Sequence, residues 1–194
     1  MKAAPRGTAC NGRDCEAAQG RDQGGYNRRM PTLLLMRHGK SRWDEGPVED
    51  HERGLAPRGT RAAQRMGRFL SRAGICPDLI LSSDALRTLT TARIVREAAG
   101  WKGELRIESR LYACPSATVL EFILTLPNTA KTVMLVGHNP AMTETTVLLS
   151  GGTAVRFPTA AVACFEINES WENAGAGYAE LRWLLPSRLI KVES

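Results

Sequence analysis

The chain contains 194 residues, of which 43% are hydrophobic and 24% charged, so it is long enough to bury the core of an ordinary globular domain. No apolar run approaches the ~18–20 residues that a membrane-spanning helix needs, and we expect a soluble protein that binds no membrane. The net charge is +6, from 26 Lys and Arg against 20 Asp and Glu. About half of this excess lies in residues 1–30, and a basic anion pocket explains the remainder as well as nucleic-acid binding would, so no nucleic-acid partner is expected.

Residues 1–30 differ in composition from the rest of the chain. They are rich in Gly, Arg, Asn, Asp and Gln, and no apolar residues recur in them at the spacing of a helix or a strand. Such a segment cannot bury enough apolar surface to order itself, so we expect a flexible tail that the domain does not require. Met30 stands directly before the first predicted strand and is a candidate alternative start, which leaves residues 31–194 as one predicted domain.

The five cysteines are odd in number and widely scattered. Because no CxxC or Cys/His ligand spacing occurs, the sequence predicts no zinc site. Free thiols in a reduced environment are the simplest interpretation, which favours a cytoplasmic protein.

The first predicted strand is the starting point for the functional interpretation. Residues 33–36 are apolar and are followed at once by Arg37, His38 and Gly39. A short continuous apolar run that ends at a glycine is typical of a strand buried on both faces of a parallel sheet. Open α/β sheets bind their ligands at the carboxyl ends of such strands, so Arg37 and His38 are candidate site residues.

Helices and strands are predicted to alternate along the remaining sequence. The first helix begins near Pro57 and ends at Gly74, and one of its faces carries five arginines: Arg58, Arg61, Arg65, Arg68 and Arg72. We interpret this face as solvated, with the binding of an acidic partner as the alternative. The later elements are a strand over 79–81, a helix over 85–99, a weak strand over 105–107, a helix over 116–126, a strand over 132–136, a helix over 140–149 and two strand-like segments over 160–167 and 178–185. This alternation predicts an α/β protein, a three-layer α/β/α sandwich with a mostly parallel central sheet.

Polar residues follow two further strands at the point where each strand ends. Residues 82–84 (Ser-Ser-Asp) follow the second strand and suit the N-cap of the next helix, which carries Arg87 in its first turn. His138 follows the apolar strand that ends at residue 136. Because the carboxyl ends of parallel strands meet at one edge of a sheet, we expect Arg37, His38, Arg87 and His138 to converge.

These four side chains suit the chemistry of phosphoryl groups. Two guanidiniums and a helix N-terminus can hold a dianionic phosphoryl group through charge-assisted hydrogen bonds. An imidazole aimed at phosphorus is a competent nucleophile when a neighbouring acceptor orients its other nitrogen, and a second imidazole can donate to the phosphoryl oxygens in the transition state. Either histidine alone would more often be a buried structural group, so the combination of three such segments in one chain carries the prediction.

The segments MRHGKS, SSDALRTLTTA and LVGHNP resemble the signature segments of the histidine phosphatase superfamily, which includes the phosphoglycerate mutases. RHGKSRWDE, DHERGLAPRGTRAAQRMGRFL and FPTAA resemble its small phosphohistidine phosphatase branch, the SixA-like proteins, and the likeness covers about residues 31–190. The resemblance implies a phosphoglycerate mutase-like fold and an enzyme that uses no metal and no organic cofactor. It also implies that His38 is the phosphorylated nucleophile. The implied catalytic residues are Arg37, His38, Arg87 and His138. The implied substrate-binding residues are Arg37, Arg87, Ser41 and Asn139.

The sequence departs from some members of this family in its proton donor. Mutase-type members carry a glutamate between the second arginine and the second histidine, where this chain has Ser109 with Glu108 beside it. The acid-phosphatase branch has an aspartate directly after the second histidine, where this chain has Asn139. The SixA-like branch also tends to lack such a donor, so its absence favours that branch.

The leading hypothesis is therefore a phosphohydrolase that works through phospho-His38, acting on phosphohistidine in a protein. The alternatives are a small-molecule phosphomonoesterase or mutase, and a catalytically idle module that binds phosphate or phosphoproteins. In each case the expected partner is a phosphorylated molecule, such as a phosphohistidine-bearing protein. The protein is expected to be a monomer or a small homo-oligomer.

Overall fold

The structure, a computed structural model, describes residues 30–43, 49–175 and 178–191. Apart from Met30, the predicted tail lies outside the described residues. The strands are β1 (Thr32–Arg37), β2 (Leu79–Ser82), β3 (Glu104–Ile107), β4 (Thr132–Gly137), β5 (Val162–Ile167) and β6 (Ala179–Leu185). The helices are α1 (Pro57–Arg72), α2 (Leu86–Ala99), α3 (Ser116–Leu124) and α4 (Ala141–Leu149). Short 3₁₀ turns at Asp50–Glu52, Ser109–Leu111 and Ser187–Leu189 connect them.

The strands of the described chain form one sheet in the order β3-β2-β4-β1-β5-β6. The pairs from β3 through β2 and β4 to β1 are parallel, whereas β5 runs antiparallel to β1 and to β6. Strand β1 therefore lies near the middle of the sheet, where neighbours cover both of its edges. The predicted mostly parallel sheet is confirmed.

Helices cover both faces of the sheet and complete three layers. Leu33 and Leu35 of β1 pack on one face with residues of α3 and α4, whereas Leu34 and Met36 pack on the other with residues of α1 and α2. All four side chains are fully buried, which explains why the β1 sequence is continuously apolar instead of alternating. The predicted three-layer α/β/α sandwich is confirmed.

The register of the sheet decides which polar residues meet at its carboxyl edge. Arg37 at the end of β1 lies beside Gly137 at the end of β4, so His38 and His138 leave the sheet next to each other. Ser82 of β2 lies beside Val136 of β4, which brings the next residue, Ser83, toward the same place. The parallel pairing of three neighbouring strands thus gathers the three polar segments that the sequence singles out.

The predicted N-cap of α2 is wrong. Ala85 occupies the cap position, and no side chain caps the helix there. The Ser83 hydroxyl instead accepts a hydrogen bond from the Ala85 amide at 3.2 Å and contacts the His138 ring, and Asp84 lies 3.0 Å from His51. The side chains that local spacing assigns to the cap therefore bind polar groups elsewhere in the chain: Ser83 contacts His138, and Asp84 contacts His51.

None of the helices in the described part of the chain combines the length and the apolar character that crossing a membrane requires.

Candidate active site

His38 lies directly after β1 and is 8% exposed. Its Nδ1 is 2.7 Å from the Gly39 carbonyl oxygen, and because a carbonyl can only accept, Nδ1 carries the proton. Nε2 is therefore left with a free lone pair. Helix α2 holds the segment after β1 in place. The Gly39 amide donates to the Thr91 hydroxyl at 3.0 Å, and that hydroxyl donates to the Arg87 carbonyl at 2.7 Å.

His138 lies beside His38, with ring centroids 5.2 Å apart. Its Nδ1 is 3.3 Å from the Arg87 guanidinium, which can only donate, so Nδ1 accepts and Nε2 carries the proton of the neutral ring. Nε2 lies 3.0 Å from the Ser83 hydroxyl and 3.1 Å from the Thr88 hydroxyl. Two buried hydroxyls thus fix the orientation of the second imidazole.

Arg87 is 7% exposed and is held by a 3₁₀ turn far away in the sequence. Its guanidinium donates to the Asp50 carbonyl oxygen and to the Asp50 carboxylate, the latter at 2.9 Å. The Tyr112 hydroxyl donates to the same carboxylate at 3.0 Å, and the Tyr112 ring lies edge-on to His138 at 5.4 Å. Asp50 and Tyr112 therefore belong to the site, although the sequence did not single them out.

Arg37 and Asn139 share one acceptor at the rim of the site. Both donate to the Phe157 carbonyl oxygen, Arg37 at 3.0 Å and the Asn139 amide at 3.4 Å. The Arg37 Nε and the Asn139 Oδ1 are buried and have no hydrogen-bond partner among the described residues. Buried polar atoms are normally paired, so hydrogen-bonding capacity is left unused at this point of the structure.

Three other residues singled out in the sequence lie outside these contacts. Ser41 is 8% exposed, its backbone pairs with Leu55, and no hydrogen bond among the described residues joins its side chain to the two histidines. Ser109 is exposed at the start of its 3₁₀ turn. Glu108 is half-buried at the carboxyl edge, where its amide donates to the Ser82 carbonyl at 2.8 Å. Glu108 is thus the carboxylate to test as a proton donor.

Burial dominates the electrostatics of both histidines. Loss of solvent, reinforced by the positive charges of Arg87 and Arg37, lowers the pKa of His38 to about 4 despite its hydrogen bond to Gly39. Burial, with His38 and Arg87 nearby, lowers the pKa of His138 to about 3. Both rings are therefore neutral at pH 7 in the empty site, and Nε2 of His38 is unprotonated.

The pKa of the Asp50 carboxyl is lowered, whereas burial without polar partners would raise the pKa of an acid. Desolvation alone raises its pKa, but the hydrogen bonds from Tyr112 and Arg87 and the charge of Arg87 outweigh that effect, so the pKa is lowered. Desolvation and the hydrogen bond to Asp50 raise the pKa of Tyr112. Asp50 therefore remains an anion near neutral pH and serves as a partner for Arg87, not as a proton donor.

The pKa of His38 predicts the acid limb of the pH profile. Protonation removes the nucleophilic lone pair, so kcat/KM should fall as pH drops through about 4 instead of through 6.5, the ordinary histidine value. Aryl phosphates with different second pKa values separate this limb from titration of the substrate. A limb near 6.5 that does not move with the substrate would contradict the prediction. Folding stability should also fall as pH drops from 6.5 to about 4, because over this range the unfolded chain binds more protons than the folded protein.

No group of three or more His, Cys, Asp or Glu side chains is placed to hold a metal ion in the described part of the chain. The donors that do converge are guanidinium and imidazole nitrogens, a set suited to an anion.

The fold is a three-layer α/β/α sandwich whose carboxyl edge gathers donors suited to an anion, and comparison with known proteins gives its family. Residues 33–112 match the model of the histidine phosphatase superfamily (branch 1). An uncharacterized protein of Mycobacterium tuberculosis (strain ATCC 25618 / H37Rv) is 33% identical over 156 residues, which cover 75% of this chain and 96% of that protein. The chain belongs to the histidine phosphatase superfamily, as the sequence predicts, and this membership supports an enzyme of the phosphatase or mutase class.

A solved structure of a candidate phosphohistidine phosphatase SixA from Agrobacterium tumefaciens has 27% sequence identity and a TM-score of 0.70, covering 80% of this chain and 97% of that one. A 2,3-bisphosphoglycerate-dependent phosphoglycerate mutase from Thermobifida fusca (strain YX) is 41% identical over 90 residues. That match covers 43% of this chain and 36% of the mutase. The likeness to the SixA structure fits the predicted SixA-like branch.

Proposed function

We propose that the protein is a phosphohydrolase that forms a covalent phosphohistidine on His38 and acts on phosphohistidine in proteins. The observation that carries the proposal is the orientation of His38. Its protonated Nδ1 is tied to the Gly39 carbonyl, which leaves Nε2 unprotonated, and the ring centroid lies 5.2 Å from that of His138, which in turn contacts Arg87. A nucleophile whose second nitrogen is held by an acceptor is the arrangement that phosphoryl transfer to histidine requires.

The reaction consists of two transfers at phosphorus. In the first, the Nε2 lone pair of His38 forms a P–N bond while the bond to the leaving group breaks, and the leaving group takes the electron pair and a proton from solvent. In the second, water attacks phosphorus, the P–N bond to His38 breaks, and inorganic phosphate leaves as the water gives its proton to solvent. The Gly39 carbonyl stabilises the positive charge that develops on the imidazole in the first step.

The surrounding donors bind the transferring oxygens. The guanidinium of Arg87, fixed in place by Asp50, supplies its remaining N–H groups at the buried side of the pocket, and the guanidinium of Arg37 at the end of β1 supplies further donors. A bound dianion raises the pKa of His138, because an opposite charge favours the imidazolium. Protonation of His138 turns Nδ1 from an acceptor into a donor, so the second histidine can stabilise the charge on the phosphoryl group.

The substrate class follows from the missing proton donor. The Asp50 carboxyl is ionised, and Asn139 replaces the acid that follows the second histidine in the acid-phosphatase branch. A general acid contributes ~10²–10⁴ in rate, most of which an alkoxide leaving group needs. An imidazole leaving group needs less help, since its P–N bond is labile and solvent can protonate the ring. The likeness to a candidate phosphohistidine phosphatase supports the same class.

Leaving groups therefore provide the test. We expect kcat/KM to fall steeply as the leaving group becomes more basic, with phosphohistidine peptide and phosphoramidate preferred over aryl phosphate and all three over alkyl phosphates. The reason is that the leaving atom receives no proton from the protein in the rate-limiting step. A panel of these substrates at fixed pH and ionic strength measures the trend.

Glu108 is the control for this prediction. Glu108→Gln should leave the order of substrates unchanged, and Glu104→Gln, at the other end of β3, is the matched variant. Equal hydrolysis of aryl and alkyl phosphates by the parent protein, with the alkyl reaction selectively lost in Glu108→Gln, would establish a general acid. The protein would then be a general phosphomonoesterase, the second candidate function, which the half-buried position of Glu108 at the sheet edge favours.

A catalytically idle phosphate-binding module is the alternative from a different class. It predicts phosphate binding without turnover and without a covalent phosphoenzyme. Mass spectrometry of the intact protein after incubation with phosphoramidate separates the two, because only an enzyme gains the mass of a phosphoryl group.

A further inference from the structure

A basic cavity of about 390 Å³ lies beside the candidate active site. It is concave and large enough to hold part of a small molecule or a side chain of a partner. Four of its described lining residues carry a positive charge and none carries a negative charge. The positive ones are Lys40, Arg58, Arg65 and Arg188.

The cavity adjoins the segment that carries the nucleophile. Lys40 is two residues after His38 in the chain. Pro158 and Thr159, which also line the cavity, lie between Phe157, whose carbonyl binds Arg37, and Ala160, whose amide donates to the carbonyls of Arg37 and His38 at 3.0 and 3.1 Å. The cavity therefore borders the two backbone segments that meet at Arg37 and His38.

Tight backbone packing holds the charged residues in place. A Cβ at Gly59 would lie 2.3 Å from the Lys40 carbonyl oxygen, so only glycine lets the first turn of α1 approach Lys40 so closely. The Ala56 amide also donates to that carbonyl at 2.8 Å. Arg58 and Arg65 are thereby presented from α1 toward Lys40, while Arg188 comes from a 3₁₀ turn near the end of the described chain.

The four cations have no acidic partners among the residues that the structure describes. No ion pair of the described residues involves Lys40, Arg58, Arg65 or Arg188, although arginines elsewhere pair with Asp50, Glu104, Glu121 and Glu180. The Lys40 ammonium lies over the ring of Trp43, 5.7 Å from its centroid. Like charges gathered from three parts of the chain repel one another, and a bound anion removes that cost. A solvated helix face, the interpretation from sequence, does not account for Lys40 and Arg188.

We propose that this cavity is a second anion-binding subsite, which receives a carboxylate or phosphate group of the substrate beyond the phosphoryl group that is transferred. The proposal rests on the proposed function, because it takes the first phosphoryl group to lie at His38. Three guanidiniums and an ammonium can hold such an anion through charge-assisted hydrogen bonds. The second anion comes either from an acidic side chain next to a phosphorylated residue or from a second charged group of a small molecule.

Binding of phosphonates tests the subsite without turnover. Alkane diphosphonates with chains of two to eight carbons are compared by calorimetry with alkyl monophosphonates of the same lengths. We expect one length to bind at least about tenfold more tightly than its monophosphonate, because the second phosphonate gains charged hydrogen bonds in the cavity. This advantage exceeds the factor of about two that two equivalent ends give by statistics alone.

Charge reversal at exposed arginines supplies the variants and the control. The double variant Arg58→Glu/Arg188→Glu should lose the advantage, while Arg61→Glu, an exposed arginine of α1 that does not line the cavity, should keep it. No advantage at any chain length, or an equal loss in Arg61→Glu, would overturn the subsite. Phosphonates are not hydrolysed, so their binding does not depend on catalysis. If the proposed function fails but the subsite exists, the diphosphonate will still bind more tightly than the monophosphonate while no phosphorylated substrate is turned over.

A second arm identifies the source of the anion. The ratio of kcat/KM is measured for phosphohistidine peptides with Glu or Gln beside the phosphorylated residue, and for aryl phosphates with or without a carboxylate. A gain of about tenfold confined to the peptide assigns the subsite to acidic protein partners, and a gain confined to the aryl phosphate assigns it to small molecules. A gain for neither would contradict a role in substrate binding.

Discussion

Replacing His38 with alanine is expected to abolish formation of the phosphoenzyme and to lower kcat/KM by about 10⁴–10⁶-fold, the range seen when the nucleophile of a covalent mechanism is removed. His38 is the imidazole whose Nδ1 is tied to the Gly39 carbonyl, leaving Nε2 free to attack. The fold should persist, because the backbone bonds of this segment, including that from the His38 amide to the Gly137 carbonyl, do not depend on the ring.

The measurement is trapping of the phosphoenzyme together with steady-state turnover. A phosphoryl group on histidine is lost in acid and kept in base, which distinguishes it from a phosphate ester. The matched control is His51→Ala, which removes the histidine outside the proposed machinery, next to Asp84 and Tyr112. Phosphoenzyme should still form in that variant. Normal turnover in His38→Ala, with an unchanged melting temperature, would require a different nucleophile.

Replacing Arg87 with alanine is expected to lower kcat/KM by about 10²–10³-fold, the cost of removing one preorganised donor from a transition state that accumulates charge. Arg87 is almost fully buried and contacts Asp50 and His138, so no other side chain can take its place. Arg87→Lys should recover only part of the loss, because an ammonium lacks the planar fork that matches phosphoryl oxygens. Arg37→Ala should act in the same direction.

The matched control for this prediction is Arg93→Ala, an exposed arginine of the same helix, which should leave catalysis unchanged. Calorimetry with inorganic phosphate reports whether the binding of the ground state weakens as well. Saturation curves that are the same for the parent protein and for Arg87→Ala would remove Arg87 from the pocket. Circular dichroism during heating separates a catalytic effect from unfolding, since the variant also removes the ion pair at 2.9 Å between Arg87 and the Asp50 carboxylate.

The sequence by itself was sufficient to predict the sheet and the position of four site residues. The continuously apolar run of β1 reports burial on both faces, and a polar residue directly after such a strand can only emerge at its carboxyl end. Parallel neighbours put those ends together, so His38 and His138 were predicted to be adjacent without knowledge of any side-chain contact. Their rings are indeed 5.2 Å apart.

The tertiary structure alone decided which groups orient these residues. Asp50 and Tyr112 are 62 positions apart in the chain, and the loop that contains Asp50 has no periodic pattern, so nothing local indicates that its carboxylate holds Arg87. Ser83 was assigned to a helix cap because that spacing is common, yet its hydroxyl contacts a histidine 55 residues away. Hydrogen bonds between distant side chains leave no spacing signal in a single sequence.

The arginines of α1 also separate what the sequence predicts from what the packing of elements decides. Helical periodicity placed them on one face and predicted a solvated surface, which the exposed Arg61 and Arg68 fit. A basic cavity forms beside Arg58 and Arg65, because Gly59 packs closely against Lys40 and Arg188 also lines the space. Periodicity describes one helix at a time, whereas a cavity depends on which other elements pack against that helix.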